Sequence, residues 1–159
     1  LMRCRSFLQS EHLIYYTKDR QFCALRISSV DFVRNLGRVG IISRKSHSLV
    51  YPTFIDRLLI RHFIRGFFDG DGWITHNKKR GLAFGIIGGC RTFLEQLQRG
   101  LAQACQLQVH SLYVDKRHAD GGTVSIQYGG NRQCKRIYNY LYAGATVYLE
   151  RKEKVWHRI

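Results

Sequence analysis

Residues 63–72 read FIRGFFDGDG, and the pattern around them decides the fold. Ile60, Phe63, Ile64, Phe67 and Phe68 recur at the i, i+3, i+4, i+7, i+8 spacing of a single helical stripe, which predicts an amphipathic helix over 56–68. Arg57, Arg61 and Arg65 fall at steps of four on another face. Gly70 and Gly72 are expected to end the helix, leaving Asp69 and Asp71 at its C-terminal end. The helix dipole is negative there and disfavours each carboxylate by roughly 0.3–1 kcal/mol. A cation at that end removes the conflict, and carboxylates with a backbone carbonyl are the hard oxygen ligands that Mg2+ and Ca2+ prefer. The plainer reading makes both aspartates polar turn residues beside glycines. A calcium loop of the EF-hand kind is excluded. Counted from Asp69, Trp73 stands at the fifth position, Ile74 at the glycine position and Arg80 where the bidentate Glu belongs.

Outward from this stretch, 73–77 and 82–87 read as strands joined by the turn KKRG, and 92–107 as a helix burying Phe93, Leu94, Leu97, Leu101 and Ala104. Strands over 108–114 and 123–128 flank the turn Asp120-Gly121-Gly122, and a helical segment begins near Asn131. From Asp56 the order is α-β-β-α-β-β-α, an α+β class. The lone proline, Pro52, closes a polar, basic stretch over 43–52 that reads as a linker, dividing the chain into 1–50 and 51–159. Before it, 7–16 and 21–27 read as a hairpin and 30–39 as a short helix with Ser28 or Ser29 as N-cap. A shift of 101 residues lays Ser28-Ser29 on Gly129-Gly130, Val33 on Cys134 and Leu36 on Ile137, so the first part reads as the back half of the unit that follows.

Lys and Arg number 26 against 11 Asp and Glu, a net charge of +15 over 159 residues, while 45% of residues are apolar. That describes a folded domain with a basic surface, whose expected partner is a polyanion, nucleic acid first. No apolar run approaches the ~20 residues of a membrane-spanning helix, and no signal-peptide pattern opens the chain. The five cysteines, an odd number without C-x-x-C spacing, read as free, mostly buried thiols of a reducing intracellular compartment. The seven histidines lack zinc-ligand spacing, and no phosphate-binding G-x-x-x-x-G-K-[ST] loop occurs.

Residues 64–72, IRGFFDGDG, resemble the signature of the LAGLIDADG homing endonucleases, and the α-β-β-α-β-β-α order resembles that family's repeat. The resemblance implies a four-stranded antiparallel DNA-binding sheet and metal-dependent hydrolysis of DNA phosphodiesters with Mg2+ or another divalent cation. It makes Asp71 the metal-binding catalytic acid, the Gly70 carbonyl a further ligand and Lys135 the basic residue near the cleavage centre. Asp69 is expected to bind amides at the helix end. Gly66, with Ile64 and Phe67, would meet a second signature helix, since a residue without Cβ lets backbones approach closely. That helix would come from a homodimer partner or from an N-terminal half preceding Leu1, in which case the chain is a truncated double-motif protein. Arg65 departs from the family's small residue.

A two-stranded ribbon fits the major groove and presents alternate side chains to it. On that alternation Thr75, Asn77 and Lys79, then Thr123, Ser125 and Gln127, would face DNA, with Lys116 and Arg117 beside them. Val124, Ile126 and Tyr128 would face the helices. An ordinary solvated sheet face is the plain alternative. Two functional readings stay open: an endonuclease, and a non-catalytic nucleic-acid binder on the same fold, either an intron-RNA maturase or a DNA-binding regulator. A protein-assembly domain is a third, with no feature of its own beyond cysteines and exposed aromatics.

Overall fold

The signature stretch folds as the last turns of a helix that runs directly into a strand. The computed structural model describes residues 1–19, 21–43, 48–114 and 122–158, which divide into two compact units, Leu1–Val39 and Gly40–Ile159. The division falls ahead of the expected 50/51 boundary because Leu49 and Tyr51 already pack against the core of the second unit.

The first unit holds α1 (Met2–Phe7), β1 (Ile14–Tyr16), β2 (Cys23–Leu25) and α2 (Val30–Arg38). The strands pair antiparallel, Tyr15 opposite Ala24, and Ser29 caps α2 by accepting from the Phe32 amide at 3.2 Å. The expected strand over 7–16 survives only as Ile14–Tyr16. Phe7 closes a helix instead, and Gln9 takes a left-handed φ of 48° that breaks any extended run. No described residue of this unit is buried.

The second unit runs α3 (Ile60–Asp71), β3 (Gly72–Asn77), β4 (Gly81–Gly88), α4 (Arg91–Cys105), β5 (Tyr113–Val114), β6 (Val124–Gly129), α5 (Asn131–Tyr142) and α6 (Glu150–Trp156). The four strands form one antiparallel sheet in the order β3-β4-β6-β5. Helices cover one face, where Ile74, Leu82, Phe84, Ile86, Val124, Ile126 and Tyr128 are buried with Ile64, Phe68, Leu97, Leu101 and Ile137. Phe68 stacks on Phe84 and Phe67 meets Phe93, each pair with centroids 4.9 Å apart. No helix among the described residues is long and apolar enough to cross a membrane. All five cysteines are free, with Cys90, Cys105 and Cys134 buried and Cys4 and Cys23 exposed.

Three element boundaries differ from the expectation. Asp56 does not open α3, because its carboxylate accepts from the Leu58 amide at 2.7 Å and its carbonyl from Leu59 and Ile60, making a turn ahead of the helix. Gly70 lies inside α3 rather than ending it, and Gly72 is the cap. The strand expected over 108–114 shrinks to two residues. Leu112 turns into the core, and the Gln108 carbonyl accepts the Tyr128 hydroxyl at 3.0 Å instead of a ladder amide. The sequence reading did not separate α6 from α5. Gly144, with φ +68°, lies between them.

Candidate functional site

The last turn of α3 is clasped by the end of the chain. Helix C-terminal carbonyls have no intrahelical donor, and here α6 supplies one: Lys152 Nζ donates to Phe68 O at 2.6 Å, to Asp69 O at 2.9 Å and to Gly72 O. Lys152 is only 4% exposed, and burial, with Arg151 nearby, pulls its pKa down while Asp69 and Asp71 push it back up. The clasp is reciprocal. Asp69 Oδ2 accepts from the Leu149 amide at the start of α6 at 2.9 Å, and Oδ1 from the Tyr142 hydroxyl at 3.4 Å. Burial first, then the Asp69 charge, raises the pKa of Tyr142 and keeps its proton on the hydroxyl. One helical turn earlier, buried Arg65 donates from Nη1 to Leu141 O at 2.7 Å and from Nε to Val147 O at 3.0 Å. Arg65 thereby tethers the segment joining α5 to α6, a role open only to a long donor side chain at that signature position.

This arrangement changes the electrostatic argument made from the sequence. The cation that two carboxylates at a helix C-terminus call for is partly the protein's own, the Lys152 ammonium. Asp69 is spent on the clasp. Asp71 is exposed and makes no hydrogen bond or ion pair among the described residues, so its carboxylate alone remains for a ligand. It lines a cleft of about 340 Å³ with Phe67, Ile87, Gly88, Gly89, Cys90 and Phe93 among its walls. Among the described residues no three His, Cys, Asp or Glu side chains gather as a metal cluster. Asp71 and the Gly70 carbonyl, which no side-chain donor reaches among the described residues, suit Mg2+. That ion is commonly held by one or two carboxylates, with waters and substrate phosphates completing its shell.

Lys135 is not brought to Asp71. Asp71 precedes Gly72, which pairs with Ile86, whereas Lys135 lies one turn after Asn131, whose side chain accepts from the Leu82 amide at the other end of β4. Four strand residues, about 13 Å, separate those two ends. Lys135 instead lines a surface cleft with Leu82, Tyr138 and His157. Lys152 is the basic residue that reaches the α3 terminus. The sequence offered only one signal for it, its place in the Arg151-Lys152 pair.

The uncovered sheet face carries Trp73, Thr75 and Asn77 from β3, Gly81, Ala83, Gly85 and Ile87 from β4, Ser125 and Gln127 from β6, and Tyr113 from β5. Thr75 and Gln127 are exposed there. Asn77 is also exposed, but its Oδ1 accepts from the Lys79 and Arg80 amides, so it shapes the turn, and Lys79 belongs to that turn rather than to the strand. Ser125 is only 5% exposed, with Gln127 Nε2 donating to its Oγ at 3.0 Å, and offers little to a ligand. Thr123 is half-buried just before β6. Lys116 and Arg117 lie outside the described residues. Of the three expected helix-contact residues, Ile64 is fully buried in the chain's own core, because it faces the sheet. Phe67 packs on Phe93, and Gly66 is exposed with nothing within 4 Å of where its Cβ would stand.

Comparison with known proteins finds that the family model described as a LAGLIDADG-like domain matches residues 58–141. No curated protein matches the chain. Among solved structures, the crystal structure of the I-LtrWI LAGLIDADG homing endonuclease bound to target DNA is similar, with a TM-score of 0.44 and 14% identity. That likeness covers 61% of this chain and 34% of the endonuclease chain, so this chain spans about a third of its length.

Proposed function

Given that the chain belongs to the LAGLIDADG-like domain family, we propose that it is a divalent-metal-dependent DNA endonuclease, binding duplex DNA on its uncovered sheet and hydrolysing a phosphodiester beside Asp71. The observation that carries this reading is the unspent Asp71 carboxylate, which juts from the helix-to-strand junction where the open face begins. The +15 charge supplies the general attraction to phosphate. Asp71 and the Gly70 carbonyl would hold Mg2+, which when bound polarises the scissile phosphate and lowers the pKa of bound water. The protein's own part is positional. Lys152 fixes the carbonyls on either side of Gly70 and Asp71, Asp69 anchors α6 so that Lys152 stays in place, and Thr75 and Gln127 present polar groups to the groove. No nucleophilic side chain is needed.

Replacing Asp71 with Asn tests the reading. The variant should bind duplex DNA as the parent does and lose Mg2+-dependent nicking by at least a hundredfold; equal cutting by both proteins would remove Asp71 from the chemistry. A non-catalytic binder of nucleic acid, whether intron RNA or regulatory DNA, is favoured by one observation, the lone unpartnered carboxylate at the α3 terminus, with no metal cluster among the described residues. Binding without cutting by the parent protein selects that reading.

A further inference from the structure

The end of the open sheet face nearest Asp71 carries three large apolar side chains, Trp73, Ile87 and Tyr113, with Gln127 and Ser125 as the polar members of the same two rows. Trp73 heads the β3 row and pairs with Gly85, while Ile87, one step along β4 on the same face, pairs with Ser125, whose other neighbour is Tyr113. Ile87 is 37% and Tyr113 56% exposed. Gly85 has no side chain and lies on the uncovered face, yet it is buried because the indole lies across it. A Cβ there would stand only 2.4–2.6 Å from Cε2, Cζ2 and Nε1 of Trp73. Trp73 itself stays partly exposed, and its N–H makes no hydrogen bond among the described residues. The glycine thus holds the indole at one place on the sheet, two residues from Asp71.

The edges of bases in the major groove offer one apolar group, the C5-methyl of thymine; every other distinguishing group there is a donor or acceptor. Aromatic and aliphatic side chains on this face therefore match a thymine methyl, while Gln127, opposite Gly85, can meet the donors and acceptors of a neighbouring base. Resting on the reading of this face as a DNA interface, we propose that Trp73 is the specificity-determining residue at the Asp71 end of the sheet. Its indole packs on a thymine methyl in the base pairs beside the phosphate that Asp71 addresses, with Ile87 and Tyr113 excluding water around the contact.

The test begins with selection of preferred duplexes from a random library by the unaltered protein. Thymine should be fixed at one or two positions near the nick, or near the centre of the footprint. Replacing that thymine by deoxyuridine removes only the methyl group and should weaken binding roughly fourfold, whereas the Trp73→Ala protein should bind both duplexes alike. Acrylamide quenching of the native protein provides a readout without mutation. Trp156 is only 3% exposed, so the quenchable emission is that of Trp73, and saturating duplex should at least halve the quenching. Insensitivity to deoxyuridine at every selected thymine, or unchanged quenching in the bound state, overturns the assignment while leaving DNA binding standing. Failure to bind any duplex overturns both.

Discussion

Three carbonyl oxygens around the end of α3 accept from one ammonium group, so Lys152 is the side chain whose loss the site would feel first. In Lys152→Met the stem still fills its place, but Asp69 O and Gly72 O lose the ammonium in a largely buried setting, and Phe68 O keeps only the Gly72 amide. Unsatisfied buried acceptors of this kind cost roughly 2–4 kcal/mol in total, and urea denaturation should show that loss. Nicking should fall with it, even at temperatures where the variant is fully folded. Nothing local in the sequence set this residue apart from Arg151. Lys152 and Arg151 are neighbours of like charge, and only the return of the chain across 80 residues decides which is buried. Asp71 was legible because the signature fixes its place relative to the helix end. Lys135 stands toward the other end of β4 from Asp71, a separation along the strand that a basic residue at the start of α5 does not reveal in the sequence.

Among the elements, α3 was legible from its stripe, and the residues predicted to face the core do so: Ile64 and Phe68 are fully buried. Its ends were not, since the C-terminal carbonyls are held by a distant lysine as well as by the Gly72 amide, and the turn at Asp56 by its own carboxylate. Gly66 lies off that stripe, on the exposed side, where a Cβ would meet nothing within 4 Å. This gives a prediction in which two readings differ in sign. In an isolated chain, Gly66→Ala should stabilise the helix by up to about 1 kcal/mol, because glycine is the poorer helix former. If a second α3 packs there, as the family resemblance implies, Gly66→Leu should force the two backbones apart and cost the contact roughly 1–3 kcal/mol. Sedimentation of the parent and Gly66→Leu proteins, with and without duplex, should show weaker self-association alongside an unchanged or higher melting temperature. Equal sedimentation of both proteins would leave Gly66 as a surface glycine with no helix against it.

For the whole molecule, the order of elements from α3 to α5 was readable because most segments' period matched their final form, whereas β5 and α6 depend on tertiary contacts that no local pattern encodes. The buried thiols and phenols then set the alkaline limit. Burial pushes Cys134 up from 9.0 to about 11, Cys105 from 9.0 to about 12 and Tyr128 from 10.0 to about 12. A group with a raised folded pKa contributes stability that is complete below its unfolded value and is lost as pH climbs through the folded one. Lys152 and Arg65, shifted down, act in the opposite sense, against these three groups and the raised phenols of Tyr51, Tyr138, Tyr140 and Tyr142. Melting temperature should therefore hold to about pH 9 and decline between pH 9 and 12, with a shallower decline in Cys134→Ala. The surface charge makes the last prediction. With 26 basic and 11 acidic residues, every DNA encounter displaces condensed counterions, whatever the sequence read. Engaging about six phosphates gives a log–log slope of affinity against salt of roughly −5. Nitrocellulose or anisotropy titrations from 50 to 200 mM salt, a span of roughly three decades in affinity for such a slope, should show it for parent and Asp71→Asn proteins alike. On the proposed division, in which the carboxylate serves the chemistry and the lysines and arginines the grip, the two slopes should coincide; a flat slope for both would remove nucleic acid as the partner.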